Sequence, residues 1–204
     1  MFANHHKALI FDLGKVLIPF DFQIGYRAIA EHCPHPPAEI RRRILATGLV
    51  EPLEKGLMEP LEFVRRLREA LDLRLDYDGF RRVWGSIFCG QLIPDNVLES
   101  LAARYRLLLL SNTNRIHFET IREKYTLLRH FHDLVLSFEV HAMKPEPEIY
   151  QAVLDRAGCR AEECFYTDDI GEFVEAGQRH GLDAVQFESP AQLQREMNAR
   201  GIRW

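Results

Sequence analysis

The hydrophobic pattern falls into two regimes. Short, largely apolar runs stand at Ala8–Phe11, Arg106–Leu110, Leu134–Phe138, Cys164–Thr167 and Ala184–Phe187. Runs of this length bounded by turn formers read as strands buried on both faces. Between the later runs, apolar residues recur at three- and four-residue spacing. This predicts helices from Pro94–Asp95 to Tyr105, up to about Tyr125, from Glu146–Pro147 to about Ala157, over Glu172–His180 and over Ser189–Asn198. Ser189 caps the last of these and Pro190 sits in its first turn. Strands alternating with helices at this rhythm predict a Rossmann-like α/β fold, a parallel sheet covered by helices on both faces.

One stretch breaks the alternation. From about Gln23 to Gln91 the pattern is helical throughout. Pro37 opens a helix carrying Ala38–Ala46, and Glu59–Pro60 opens another with Leu61, Val64, Leu67 and Leu71 on its stripe. Tyr77, Phe80, Val83, Trp84 and Ile87 supply a third stripe. No strand signal interrupts this region, so it reads as a small helical bundle inserted after the first strand. The expected partition is a core of residues 1–18 and 92–204 with a helical cap of residues 19–91, which 204 residues can accommodate.

Composition narrows the partners. A formal charge of −4 provides no basic field for nucleic acid. No apolar stretch reaches membrane-spanning length, and Met1–His6 lacks a signal-peptide core, so a cytoplasmic protein that touches no membrane is expected. Four cysteines without C-x-x-C and nine histidines without H-E-x-x-H point to free thiols and to no zinc or redox centre. Oligomeric state is expected to be monomer or homodimer.

The chemistry lies at the strand ends. Asp12 ends the first apolar run and is followed by Leu13–Gly14, where the backbone must turn. Ser111–Asn112 ends the second run, Lys144–Pro145 follows the third, and Asp168–Asp169 ends the fourth. Each alone has a plain explanation as turn former, helix cap or solvated surface charge. In a parallel sheet, however, all of them lie along one edge. Together they offer a nucleophile, hydroxyl and amide donors, a cation and paired carboxylates, the parts that phosphoryl transfer requires. A buried carboxylate needs a cation to answer it, and a hard cation such as Mg²⁺ prefers oxygen ligands. Asp12 and Asp169 can hold that ion, and Asp12 can form an aspartyl-phosphate that water hydrolyses.

The stretches Phe11–Leu17, Leu110–Thr113, Lys144–Glu146 and Thr167–Asp169, in this order and at these spacings, resemble the four motifs of haloacid-dehalogenase-superfamily phosphatases with a helical cap. Phe11–Gly14 with Ser111–His117 is most similar to the bacterial glucose-1-phosphate phosphatase-like members. The resemblance implies that Asp12 is nucleophile and metal ligand, and that Ser111, Asn112 and Lys144 bind phosphate. It further implies that Asp169 ligates Mg²⁺ with Asp168 beside it, that the Gly14 carbonyl can coordinate the ion, and that the substrate is a small phosphorylated metabolite.

Three positions depart from the superfamily pattern. Gly14 stands where most such phosphatases carry an acid–base Asp, Lys15 where glycine or asparagine is commoner, and Phe173 where many relatives have an Asp or Asn. Asp21 could replace the missing acid, although its position suits the cap of the first inserted helix better. Arg41–Arg42–Arg43 and Arg65–Arg66–Arg68 read as solvated helix faces. Two other functions remain open at this stage. One is a phosphometabolite-binding or regulatory protein that lost turnover along with the acid at 14. The other is a 2-haloacid dehalogenase, against which the pair Asp168–Asp169 counts.

Overall fold

The computed structural model describes residues 5–203. Met1–Asn4, most of the start read as free of a signal peptide, and Trp204 lie outside the described residues. β1 (Ala8–Phe11), β2 (Arg106–Ser111), β3 (Asp133–Leu136), β4 (Cys164–Asp168) and β5 (Asp183–Gln186) form one parallel sheet in the order β3-β2-β1-β4-β5. β1 is central, which places Asp12, the next residue, at the middle of the carboxyl edge.

Why these runs are apolar at every position follows from the layers. Leu9, Phe11, Leu107, Leu109 and Phe165 point into one apolar cluster, while Ala8, Ile10, Leu108, Leu110 and Tyr166 point into another on the opposite face. Period-two alternation therefore sends residues to two cores instead of to core and solvent.

Between β1 and β2 lie α1 (Phe22–Ala30), α2 (Pro37–Ala46), α3 (Val50–Glu54), α4 (Pro60–Leu71) and α5 (Tyr77–Trp84), followed by α6 (Asp95–Ala102). α1 to α5 surround a third cluster built on Ile29, Ile40, Phe63, Leu67, Phe80 and Trp84. Leu61, expected on the apolar stripe of α4, is 67% exposed. The buried face is set instead by Pro60, Phe63, Val64, Leu67 and Leu71. The two chain crossings between sheet layer and insert run side by side: Asp21 N–H donates to Ile87 O at 3.0 Å and Cys89 N–H to Pro19 O at 3.1 Å.

After β2 come α7 (Arg115–Lys124), then α8 (Ser137–Val140), α9 (Pro147–Ala157), α10 (Gly171–Arg179) and α11 (Pro190–Ala199). Leu98 and Leu101 of α6, Phe118 and Ile121 of α7, and Leu193 and Met197 of α11 fill the first core; Ile149, Tyr150 and Val153 of α9 and Val174 and Ala176 of α10 fill the second. The strand expected over Leu134–Phe138 stops at Leu136. Ser137 breaks it because its hydroxyl is drawn across to β2's exit, accepting from Thr113 N–H at 2.9 Å and donating to Thr113 O at 2.8 Å. The four cysteines are free thiols. No helix of the described residues is long and apolar enough to cross a membrane.

Candidate active site

Lys144 is the hub of the carboxyl edge. Its ammonium is 1% exposed and donates to Asp12 Oδ1 at 2.7 Å, Asp168 Oδ2 at 2.5 Å and Leu110 O at 3.1 Å. Burial alone would pull this ammonium down, but Asp12 and Asp168 outweigh it and hold the lysine above its ordinary value. The Lys144 peptide is fixed by Asn112, whose Nδ2 donates to Lys144 O at 2.9 Å and whose Oδ1 accepts from Lys144 N–H at 2.8 Å. The side-chain amide of Asn112 is thus spent on positioning Lys144. Glu146 steadies the same loop, accepting from Met143 N–H at 2.9 Å.

Asp168 is fully buried and saturated, accepting from Lys144, from the Tyr166 hydroxyl at 2.6 Å and from Ile170 N–H at 2.9 Å. Asp169 is half-buried, and its carboxylate accepts from its own backbone N–H. One oxygen from each of Asp12, Asp168 and Asp169 can lie within 4.8 Å of the others. Three carboxylates therefore crowd together, and the Lys144 ammonium pairs directly with two of them. Burial pushes Asp12 up to about 7, with Lys144 opposing and Asp168 adding; Asp169 is raised by burial and by Asp168, with Lys15 and Lys144 opposing. A cluster with this excess of negative oxygen suits a hard divalent cation, which would relieve the repulsion that raises both acids.

Gly14 and Lys15 complete the turn after Asp12. Lys15 adopts φ 59°, the left-handed region where glycine and asparagine are easiest, which is the physical content of its departure from the pattern. Its N–H closes the turn on Ile18 O at 2.8 Å, and its ammonium rests 5.3 Å from the centre of the Phe20 ring. Phe173 likewise turns its ring toward an ammonium, that of Lys144, at 5.2 Å.

A cavity of about 60 Å³ opens beside this edge, with Gly14, Phe20, Ser111, Asn112, His117 and Glu54 in its wall. Ser111 is buried in that wall, at the carboxyl end of β2. A second cavity of about 230 Å³ lies between the insert and the start of α7, with Tyr26, Arg41, Leu53 and Trp84 in its wall, and shares Phe22, Glu54 and His117 with the first. Arg41, from a run read as solvated, reaches its rim. His117 stacks on Trp84 at 5.3 Å between ring centres and accepts at Nδ1 from Asn114 Nδ2 at 3.2 Å. Burial pulls its imidazole down to about 4, so the ring is neutral at physiological pH.

The structure thus brings Asp12, Lys144, Asp168 and Asp169 together, places Ser111 and Gly14 on the adjoining cavity, and turns Asn112 toward Lys144. Asp21 stands apart: its Oδ1 caps α1 by accepting from Gln23 N–H at 2.8 Å. Glu54, Phe20 and Tyr166 were not singled out from sequence. A glutamate in Glu51–Lys55 resembles any solvated charge, and a tyrosine within a strand resembles any core aromatic.

This arrangement is that of a nucleophilic hydrolase on a parallel sheet. The chain belongs to the haloacid dehalogenase-like hydrolase family, whose model matches residues 6–181. Among curated relatives, the phosphorylated carbohydrates phosphatase of Thermotoga maritima is 31% identical over 194 residues, covering 88% of this chain and 83% of its own. The D-ribitol-5-phosphate phosphatase of Bacteroides thetaiotaomicron is 24% identical over 198 residues, covering 94% and 96%. A haloacid-dehalogenase-family enzyme of Bacteroides thetaiotaomicron superposes with a TM-score of 0.83 at 27% identity, covering 94% of this chain and 98% of that one. Its complex with magnesium and inorganic phosphate gives 0.75 at 27% identity over 91% and 96%. The L-2-haloacid dehalogenase of Xanthobacter autotrophicus shares the fold, with a TM-score of 0.61 at 21% identity over 95% and 83%.

Proposed function

We propose that this hydrolase is a Mg²⁺-dependent phosphatase that releases phosphate from a small phosphorylated metabolite, a sugar or polyol phosphate, with residues 19–91 acting as a cap over the site. The observation that carries the reading is the cluster of Asp12, Asp168 and Asp169, the first two of which pair with the Lys144 ammonium. The relatives named for phosphorylated carbohydrates and for ribitol 5-phosphate support the substrate class. A dehalogenase of this fold has no need of the open carboxylate at Asp169.

In this reading an Asp12 carboxylate oxygen attacks phosphorus in line with the leaving oxygen, and water then attacks phosphorus of the aspartyl-phosphate to free Asp12. Lys144, oriented by Asn112 and by Asp168, neutralises the equatorial oxygens, and the Ser111 hydroxyl donates to one of them. Asp12, Asp169 and the Gly14 carbonyl would hold Mg²⁺, which supplies the positive charge that lets a carboxylate approach a phosphate dianion.

Hydrolysis of p-nitrophenyl phosphate with and without Mg²⁺, followed by a panel of sugar, polyol, nucleotide and acid phosphates, tests the assignment. Mg²⁺-dependent turnover abolished by Asp12→Asn is expected. The second reading, a phosphometabolite-binding protein without turnover, is favoured by the lack of an acid at Gly14. It would be selected if the panel were bound but never cleaved.

A further inference from the structure

Gly14 leaves the position two residues beyond the nucleophile without an acid, and the packing closes that position to one. A Cβ built on Gly14 would stand 2.6 Å from Phe20 Cε1. Asp21 is exposed and committed to capping α1. An alkoxide leaving group still needs a proton, so the donor must come from another element.

Glu54, the last residue of α3, lines the same small cavity as Gly14 and Ser111. It also lines the larger cavity, and so stands where the two meet. It is half-buried and makes no hydrogen bond or ion pair with any described residue. Its neighbour Lys55, by contrast, bonds Glu51 at 3.0 Å and Glu146 of the lysine loop at 2.6 Å. The Lys55 carbonyl also lies 2.8 Å from His141 Nδ1. These contacts tie the end of α3 to the Lys144 loop and to α8, beside the cavity wall that Glu54 shares with Gly14 and Ser111.

We propose that Glu54, supplied by the insert, is the general acid and base that replaces the side chain missing at Gly14; this rests on the phosphatase reading above. As an Asp12 oxygen bonds to phosphorus, the bond from phosphorus to the alcohol oxygen breaks. The electron pair stays on that oxygen, which takes the Glu54 proton. Water then attacks phosphorus of the aspartyl-phosphate, gives its proton to the Glu54 carboxylate, and Asp12 departs as carboxylate.

The environment suits both halves. Burial pushes the Glu54 carboxyl up to about 7, with the Glu51 charge adding, so both protonation states are populated near neutrality. The other charged or titratable groups around it are Lys55 beside it, Tyr26 of α1 and Arg41 of α2 across the larger cavity, neutral His117 of α7, and Glu139 of α8, which packs against α3.

The test compares wild type, Glu54→Gln and Glu54→Asp on phenyl phosphate and p-nitrophenyl phosphate. The two esters have nearly the same shape and differ in how much their leaving groups need a proton. Glu54→Gln should lower kcat/KM for phenyl phosphate by at least roughly tenfold and for an alkyl phosphate by about 100-fold. The p-nitrophenyl ester should change by less than about threefold, on the same Brønsted reasoning. Glu54→Asp should recover part of the loss, and the fall in phenyl phosphate turnover above neutral pH should disappear in Glu54→Gln. Equal losses on both esters, or no loss on either, would overturn the proposal, as would a wild type that cleaves aryl but no alkyl phosphates. A wild type inactive on every ester, or an active Asp12→Asn, would overturn the phosphatase reading itself.

Discussion

Replacing Lys144 with methionine isolates the electrostatics of the site. The ammonium is 1% exposed and pairs with two carboxylates whose side chains are 9% and 1% exposed. Methionine fills similar volume, so the change removes charge far more than packing. Breaking a buried ion pair from one side costs about 3–5 kcal/mol, because the remaining charges lose their partner without regaining water. Asp12 is already raised to about 7 with the lysine present. Without it, Asp12 moves further above its unfolded value. The folded state then binds more protons than the unfolded state, so stability falls as pH rises through that folded-state value. Each further unit of upward shift is worth about 1.4 kcal/mol. Urea unfolding of Lys144→Met against wild type should therefore show a deficit of about 3–5 kcal/mol at pH 8 that shrinks to roughly half at pH 5.5. Millimolar Mg²⁺ at pH 8 should restore part of it, since a cation held by the acids stabilises the folded state alone. A deficit independent of both pH and Mg²⁺ would refute the electrostatic account and leave only lost packing.

Asn112→Ala should act through Lys144: losing the bonds to its backbone N–H and C=O costs about 1–3 kcal/mol per unsatisfied group, and turnover should fall with the displaced ammonium while Mg²⁺ affinity is kept. Gly56 has φ +64°, and a Cβ there would lie 2.0 Å from Phe138 O, the contact between the end of α3 and α8. Gly56→Ala should therefore lower the unfolding free energy by about 3 kcal/mol, the left-handed penalty plus the clash. Lys15→Gly should raise it by roughly 0.5 kcal/mol, as relief of the left-handed backbone outweighs the added unfolded-state entropy. Both are read by urea unfolding.

Much of this architecture is legible in the chain because burial on both faces leaves a strong signal. Leu107–Leu110 admits no polar residue, and the core positions alternate between two clusters that sequence cannot tell apart but need not. The carboxyl-edge residues are legible for the complementary reason, since Asp12, Ser111 and Asp168 interrupt or end runs that are otherwise apolar. Side-chain commitments across the fold leave no such trace. Nothing local says that Ser137 leaves its strand to hold Thr113, that the Asn112 amide serves Lys144 instead of open space, or that the Tyr166 hydroxyl restrains Asp168. Leu61 shows the limit of spacing alone: it falls within an apolar series yet faces solvent, because Pro60 and Phe63 define the buried side. Glu54 is hidden for a similar reason, as only the docking of α3 brings one of several neighbouring charges to the wall of the cavity that Gly14 and Ser111 line.

In the proposed reaction Asp12 carries the phosphoryl group. Rapid-quench turnover of p-nitrophenyl phosphate with Mg²⁺, borohydride reduction of the quenched protein and peptide mass spectrometry test it directly. Homoserine in place of Asp12, formed only when both ester and Mg²⁺ are present, is the expected result. Turnover that proceeds with an unmodified Asp12 peptide, or with the label on another residue, would contradict the account.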